Sequence, residues 1–163
     1  MKKIYPSIIL INNKKKTASF VHDLLSYDCN FRNDDIEVKS SSIIKEDNFF
    51  IKYKTIDNIT LSLCSRIGSS GTIGYTMTPS LKYHIDFIIN TKDYSSYIFE
   101  IEPTTKSTDI IKYIKKLNIN LIDEFNIQSL LSNYDTVTFD KYMAEHFDNI
   151  AKIYNLDNPR KKY

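Results

Sequence analysis

The stretch "YHIDFIINTKDYSSYIFEIEP", residues 83–103, carries Asp86 in one apolar segment and Glu100 and Glu102 in the next, with a polar turn between them. Strand alternation would put His84, Asp86 and Ile88 on one side of the first segment, and Ile98, Glu100 and Glu102 on one side of the second. If those sides coincide across a hairpin, the carboxylates converge. Hard oxygen ligands on adjacent strands suit a magnesium ion, which would activate water and stabilise a phosphoryl transition state. The plainer expectation is a hairpin whose carboxylates face water and whose other side meets helices, because short acidic motifs on strands arise easily by chance. The plainer reading is preferred.

The order Asp86, then Glu100-x-Glu102, ahead of an expected helix resembles the PD-(D/E)xK nuclease fold over residues 84 to about 117. The resemblance implies that Asp86 and Glu100 ligate Mg²⁺ and that Glu102 orients or activates water. It also implies that Lys106 or Lys112 approaches the scissile phosphate of a nucleic acid. The chain departs from the family pattern at Glu102, which stands where lysine is usual, and residues 17–27 offer no acidic group beyond Asp23.

Other constellations carry less chemistry. "RIGSSGTIGY", residues 66–75, has glycines but no Gly-Lys-Ser/Thr ending, and it joins two expected strands instead of opening a helix, so a hairpin turn is expected there. His22, His84 and His146 show no HxH or HxxxH spacing, which argues against a zinc set. His84 lies where it would assist Asp86 in acid–base work, and His146 borders an apolar stripe as a packing residue. Cys29 and Cys64 match no CxxC pattern and read as two buried thiols in a reducing compartment. Tyrosines crowd the strand region at Tyr53, Tyr75, Tyr83, Tyr94 and Tyr97. Of these, Tyr75, Tyr83, Tyr94 and Tyr97 are the candidate interface residues, since an exposed tyrosine buries a large area at small entropic cost.

Composition narrows the function classes. Hydrophobic content of 42% with 26% charged residues fits a folded globular chain and excludes disorder. The length of 163 residues fits one domain over 1–163, with 155–163 expected to fray. No apolar run approaches a bilayer's thickness, and "MKKIYPSIILINNKKK" reads as the first strand of a cytoplasmic protein, not as a secretory signal. A net charge of +2, with arginine only at Arg32, Arg66 and Arg160, argues against coating nucleic acid through the overall field. Abundant Ile, Lys, Asn and Tyr with no Trp points to an AT-rich genome.

The elements that must position these residues follow from periodicity. "IYPSIILI", residues 4–11, reads as a buried strand, and residues 17–27 as a short amphipathic helix capped by Thr17. Period-two alternation then runs through "IEVKSSSII", "FFIKYK", "ITLSLCSRI", "TIGYTMT", "YHIDFIIN" and "YIFEIE", which predicts a largely antiparallel meander with one face buried and one wet. After Pro103 helical spacing takes over, in a helix opened near Ser107, a second over "LIDEFNIQSLL", and a third from Thr138. In the third, Phe139, Tyr142, Met143, Phe147, Ile150 and Tyr154 form a core stripe. The fold class is therefore α+β: an N-terminal strand and helix, a mostly antiparallel multi-stranded sheet, and C-terminal helices packed on one face. The expected function is non-enzymatic binding of another protein, as an immunity, inhibitor or host-modulating factor of a phage, virus or mobile element, without a cofactor. The alternative is a nuclease using Mg²⁺ at Asp86 and Glu100.

Overall fold

Pro6 divides the first apolar stretch between two sheets. In the computed structural model, which describes residues 2–15, 27–40, 48–70 and 78–162, the expected strand over residues 4–11 becomes β1 (Lys2–Ile4) and β2 (Ser7–Ile11). Pro6 has no amide proton for a ladder, and its carbonyl accepts from the Tyr27 amide at 3.2 Å instead. β3 (Lys14–Lys15) folds back on β2 after Asn12 and Asn13, both at positive φ, a region asparagine tolerates better than most residues. The expected helix over 17–27 and strand over 72–78 fall almost wholly outside the described residues, as does Tyr75.

β1 joins β4 (Asp28–Phe31), β5 (Asp35–Lys39) and β6 (Phe49–Lys52) in an antiparallel four-stranded sheet ordered β1-β4-β5-β6. Its buried side is apolar: Cys29, Phe31, Ile36, Val38 and Ile51. The larger sheet centres on a long hairpin of β7 (Ile56–Ser70) and β8 (Thr78–Thr91), whose pairing runs from Asn58↔Asn90 out to Ser70↔Thr78. β9 (Ser96–Ile101) pairs with β8 on one side and β2 on the other. α1 (Thr105–Lys116) follows, with Thr104 as N-cap and Ser107 completing the capping box; the Thr104 amide donates to Ser107 Oγ at 3.2 Å. The helix thus starts before Ser107, which supports its first turn from inside.

Asn118, at φ 54°, ends the turn after α1, and the chain then forms β10 (Asn120–Ile122) where helix was expected. The helical pattern resumes later, in α2 (Ile127–Asn133), because Asp123 accepts from the amides of Ile127 and Gln128 at 2.7 and 3.0 Å and fixes the start there. α3 (Thr136–Tyr154) is capped by Asp135, which accepts from the Thr138 amide at 2.8 Å. Phe139, Met143, Phe147 and Ile150 are buried as the stripe predicts, while Tyr142 and Tyr154 are half-buried beside them. The expected frayed tail instead returns to the sheet: Asn155 takes φ 54°, Pro159 is buried, and β11 (Arg160–Lys162) pairs with β7.

The larger sheet is ordered β10-β7-β8-β9-β2-β3, and β10 and β11 lie parallel to β7, so this sheet is mixed. On one face the rows Leu61–Phe87–Phe99 and Leu63–Ile85–Ile101 are buried, and Tyr83 meets the Phe147 ring of α3 at 5.1 Å. The C-terminal helices pack on this face. Alternation predicts water on the opposite face. The structure corrects that expectation, because Cys64, His84, Asp86 and Glu100 are all buried there.

Candidate functional site

Strand register assembles the polar cluster. Ser62, Asp86, Glu100 and Ser7 are direct neighbours across β7, β8, β9 and β2, so Asp86 and Glu100 stand side by side on one face. Each is 2% exposed. The carboxylates therefore converge, but not as a wet hairpin surface. Glu102 does not join them. It lies past the end of β9 with an exposed side chain, because its carbonyl accepts from the Thr104 amide and from Ser107 Oγ as the chain turns into α1.

The adjoining row is Arg160, Cys64 and His84. Arg160 reaches diagonally from β11 over this row and grips Asp86 with both edges of its fork, Nε to Oδ2 at 2.7 Å and Nη2 to Oδ1 at 2.7 Å. The same Nη2 donates to Glu100 Oε2 at 2.6 Å. Planar guanidinium suits this task, since one rigid group presents several donors to two carboxylates. Glu100 Oε1 faces Arg66 Nη1 and His84 Nδ1, each at 3.3 Å. Counting Arg66 and Arg160 against Asp86 and Glu100, the four formal charges cancel.

Cys64 Sγ and one oxygen from each of Asp86 and Glu100 lie within 4.8 Å of one another, a spacing compatible with a cation. The cation that the geometry supplies is Arg160. A metal at this point would have to displace a guanidinium that holds both carboxylates. Burial pushes the Asp86 carboxyl above its usual range against the pull of Arg160, and the charge on Glu100 adds to the rise. Burial acts the same way on Glu100, but the close approach of His84 and the hydrogen bond from Arg160 outweigh it and hold that carboxyl well below the usual range. Burial, then Asp86 and Glu100, push the Cys64 thiol well up, so it lacks the thiolate character of a nucleophile. Cys29 is likewise a buried free thiol.

The remaining sequence candidates scatter. His84 partners Glu100 instead of Asp86. His146 stacks on the Tyr142 ring at 4.2 Å and its Nδ1 is 2.8 Å from the Tyr142 carbonyl, a packing role. His22 and the turn residues 71–75 lie outside the described residues. Tyr83 is buried beneath α3, so it is removed from any interface. Tyr97 is half-buried and stacked on Phe49, and Tyr53 donates its hydroxyl to the Arg32 carbonyl. Tyr94 alone among the described candidates stands free, 91% exposed at the β8–β9 turn. Lys106 lies at the start of α1, near Glu102, and Lys112 is exposed on its outer side.

Sequence reasoning missed Arg160 because it read the tail as frayed. A usable signal was present: two inward carboxylates on central strands require cations, and the chain has only Arg32, Arg66 and Arg160 with a planar fork. Among the described residues no helix is long and apolar enough to cross a membrane. No family model matches this chain, and no curated protein or solved structure matches it.

Proposed function

We propose that this chain acts without catalysis, by binding another protein, in the manner of an inhibitor or immunity factor. The observation that carries this reading is the outer part of the β7–β8 hairpin. Among the described residues β9 pairs with β8 only as far as Ile85, and β11 pairs with β7 only as far as Arg66. Beyond those points the hairpin continues as a two-stranded ribbon, and its cross-strand pair Ile67↔Leu81 is 52% and 49% exposed. Two strands alone are marginal, and an exposed apolar pair on such a ribbon is a template for another chain. Val137 extends the apolar surface: it is 64% exposed and sits one helical turn before Asp140, which accepts from the Tyr83 amide at 3.3 Å. The closure of Asp86 and Glu100 by Arg160 weighs against the nuclease alternative, whose metal needs both carboxylates.

The test places a photo-cross-linker at position 81 and compares the protein with an Ile67→Asp, Leu81→Asp variant whose circular dichroism and melting temperature are unchanged. One partner protein cross-linked at position 81 and lost in the variant is the expected result. Metal-dependent cutting of DNA or RNA that disappears in both Asp86→Ala and Glu100→Ala would overturn it, as would capture that the charged variant leaves intact.

A further inference from the structure

The connection from β8 to β9 places a bulky ring where a hairpin asks for glycine. Lys92, Asp93 and Tyr94 form a three-residue loop closed by two backbone hydrogen bonds, from the Tyr94 amide to the Thr91 carbonyl and from the Thr91 amide to the Ser95 carbonyl, each at 2.9 Å. The last residue of such a loop takes the left-handed conformation, and glycine is its usual occupant. Here it is Tyr94, at φ 65°. The other non-glycine residues at positive φ among those described are Asn12, Asn13, Asn118, Asn126 and Asn155, of a type that visits this region readily, whereas a bulky residue there is strained. Packing does not offset the strain, because Tyr94 is 91% exposed. The backbone is held regardless: Asn13 Nδ2 donates to the Tyr94 carbonyl at 2.9 Å, Asn13 Oδ1 accepts from the Ser96 amide at 2.9 Å, and Asp93 Oδ1 accepts from Thr91 Oγ1 and the Ser95 amide. A strained ring fixed by its surroundings and offered to solvent points to a contact outside the chain.

The neighbouring charges give the chemistry of that contact. The Lys92 amide donates to the Thr55 carbonyl at 2.8 Å and its Nζ to the Lys54 carbonyl at 3.0 Å, and Lys14 follows Asn13, so Lys14, Lys54 and Lys92 come from three connections gathered about Tyr94. All three are exposed, and none is paired with a carboxylate among the described residues. The local carboxylates are turned to their own loops, Asp57 to Asn58 Nδ2 and Asp93 to Thr91 and Ser95. The charge comes from lysine, and Tyr94 offers one ring instead of the row that stacks successive bases, so a protein fits better than a nucleic acid. We propose that Tyr94 anchors a second protein-binding surface, its ring entering an apolar pocket on a partner whose rim bears carboxylates facing Lys14, Lys54 and Lys92. Leu81 and Thr91 stand roughly 33 Å apart along β8 at about 3.3 Å per residue, so this surface is separate from the Ile67–Leu81 ribbon and does not depend on it.

A random-peptide display library panned against the full chain supplies the probes, and the enriched peptides are synthesised and titrated by fluorescence anisotropy. Saturable binding by peptides rich in Asp and Glu is the expected result. Tyr94→Ala should weaken them by about tenfold or more, as should Lys54→Glu combined with Lys92→Glu, while Ile67→Asp combined with Leu81→Asp should leave them bound as tightly as the native chain does. Tyr94→Gly should lose binding as Tyr94→Ala does and yet raise the melting temperature, since glycine relieves the left-handed strain. The proposal fails if no acidic peptide binds saturably, if Tyr94→Ala binds as the native chain does, or if Tyr94→Gly lowers the melting temperature. A thymidine oligonucleotide that binds saturably and is lost in Tyr94→Ala would also overturn it, and would give the turn to nucleic acid.

Discussion

At the scale of single residues, Arg160 sets the properties of the cluster. Removing it leaves Asp86 and Glu100 buried and facing each other without their shared cation, so Arg160→Ala should cost about 3–5 kcal/mol in urea unfolding. Arg160→Lys should recover only part, because a point charge cannot hold two carboxylates through a planar fork. Mg²⁺ should leave the melting temperature of the native chain unchanged and raise that of Arg160→Ala, in which the three ligand atoms lose their competitor. Glu100 also fixes an acid limit. Its folded value lies below the unfolded value of 4.5, so the unfolded chain takes up the proton first as pH falls. The stability from Glu100 is complete above about pH 4.5 and declines below it, by at most about 1.4 kcal/mol per pH unit. Asp86 acts in the opposite sense: its raised value gives a contribution present below its unfolded 3.8 and lost as pH rises through the folded value. Urea midpoints from about pH 6 to about pH 2 should therefore fall more gently in Glu100→Gln than in the native chain.

At the scale of elements, the strands that matter most for the cluster are the shortest. α3 was legible because Phe139, Met143, Phe147 and Ile150 repeat over several turns, and β7 and β8 because alternation persists through "ITLSLCSRI" and "YHIDFIIN". β10 and β11 have three residues each, too few to show a period, and both exist through pairing with the edge of β7. Which face was wet was also illegible, since burial of Asp86 depends on a partner 74 positions away. The junction from α3 to β11 depends on Asn155 in the left-handed region, where its amide lies 3.3 Å from the Lys152 carbonyl. Asn155→Ala should cost about 1–2 kcal/mol through left-handed strain, and Asn155→Gly should not. Thermal unfolding of the two variants checks this.

At the scale of the whole molecule, apolar faces of both sheets and the C-terminal helices contribute to one cluster, with Ile150 fully buried in it. Ile150→Asp should unfold or aggregate the chain, since an unpaired buried carboxylate costs several kcal/mol; a soluble variant with native circular dichroism would contradict the packing of α3. Tyr53 and Tyr113 both donate to the Arg32 carbonyl, at 2.9 and 2.7 Å, and so tie the smaller sheet to α1. The pairing of Arg160 with Glu100, 60 positions earlier, has a consequence in time. A ribosome delivers Asp86 and Glu100 well before the cation they share, with only Arg66 and His84 already synthesised to face Glu100. A nascent chain that has not yet reached residue 160 lacks the group that grips Asp86, so burial of Asp86 on the large sheet should come late. Long-range closure of this kind slows folding, and docking of β11 on β7 should be among its later steps.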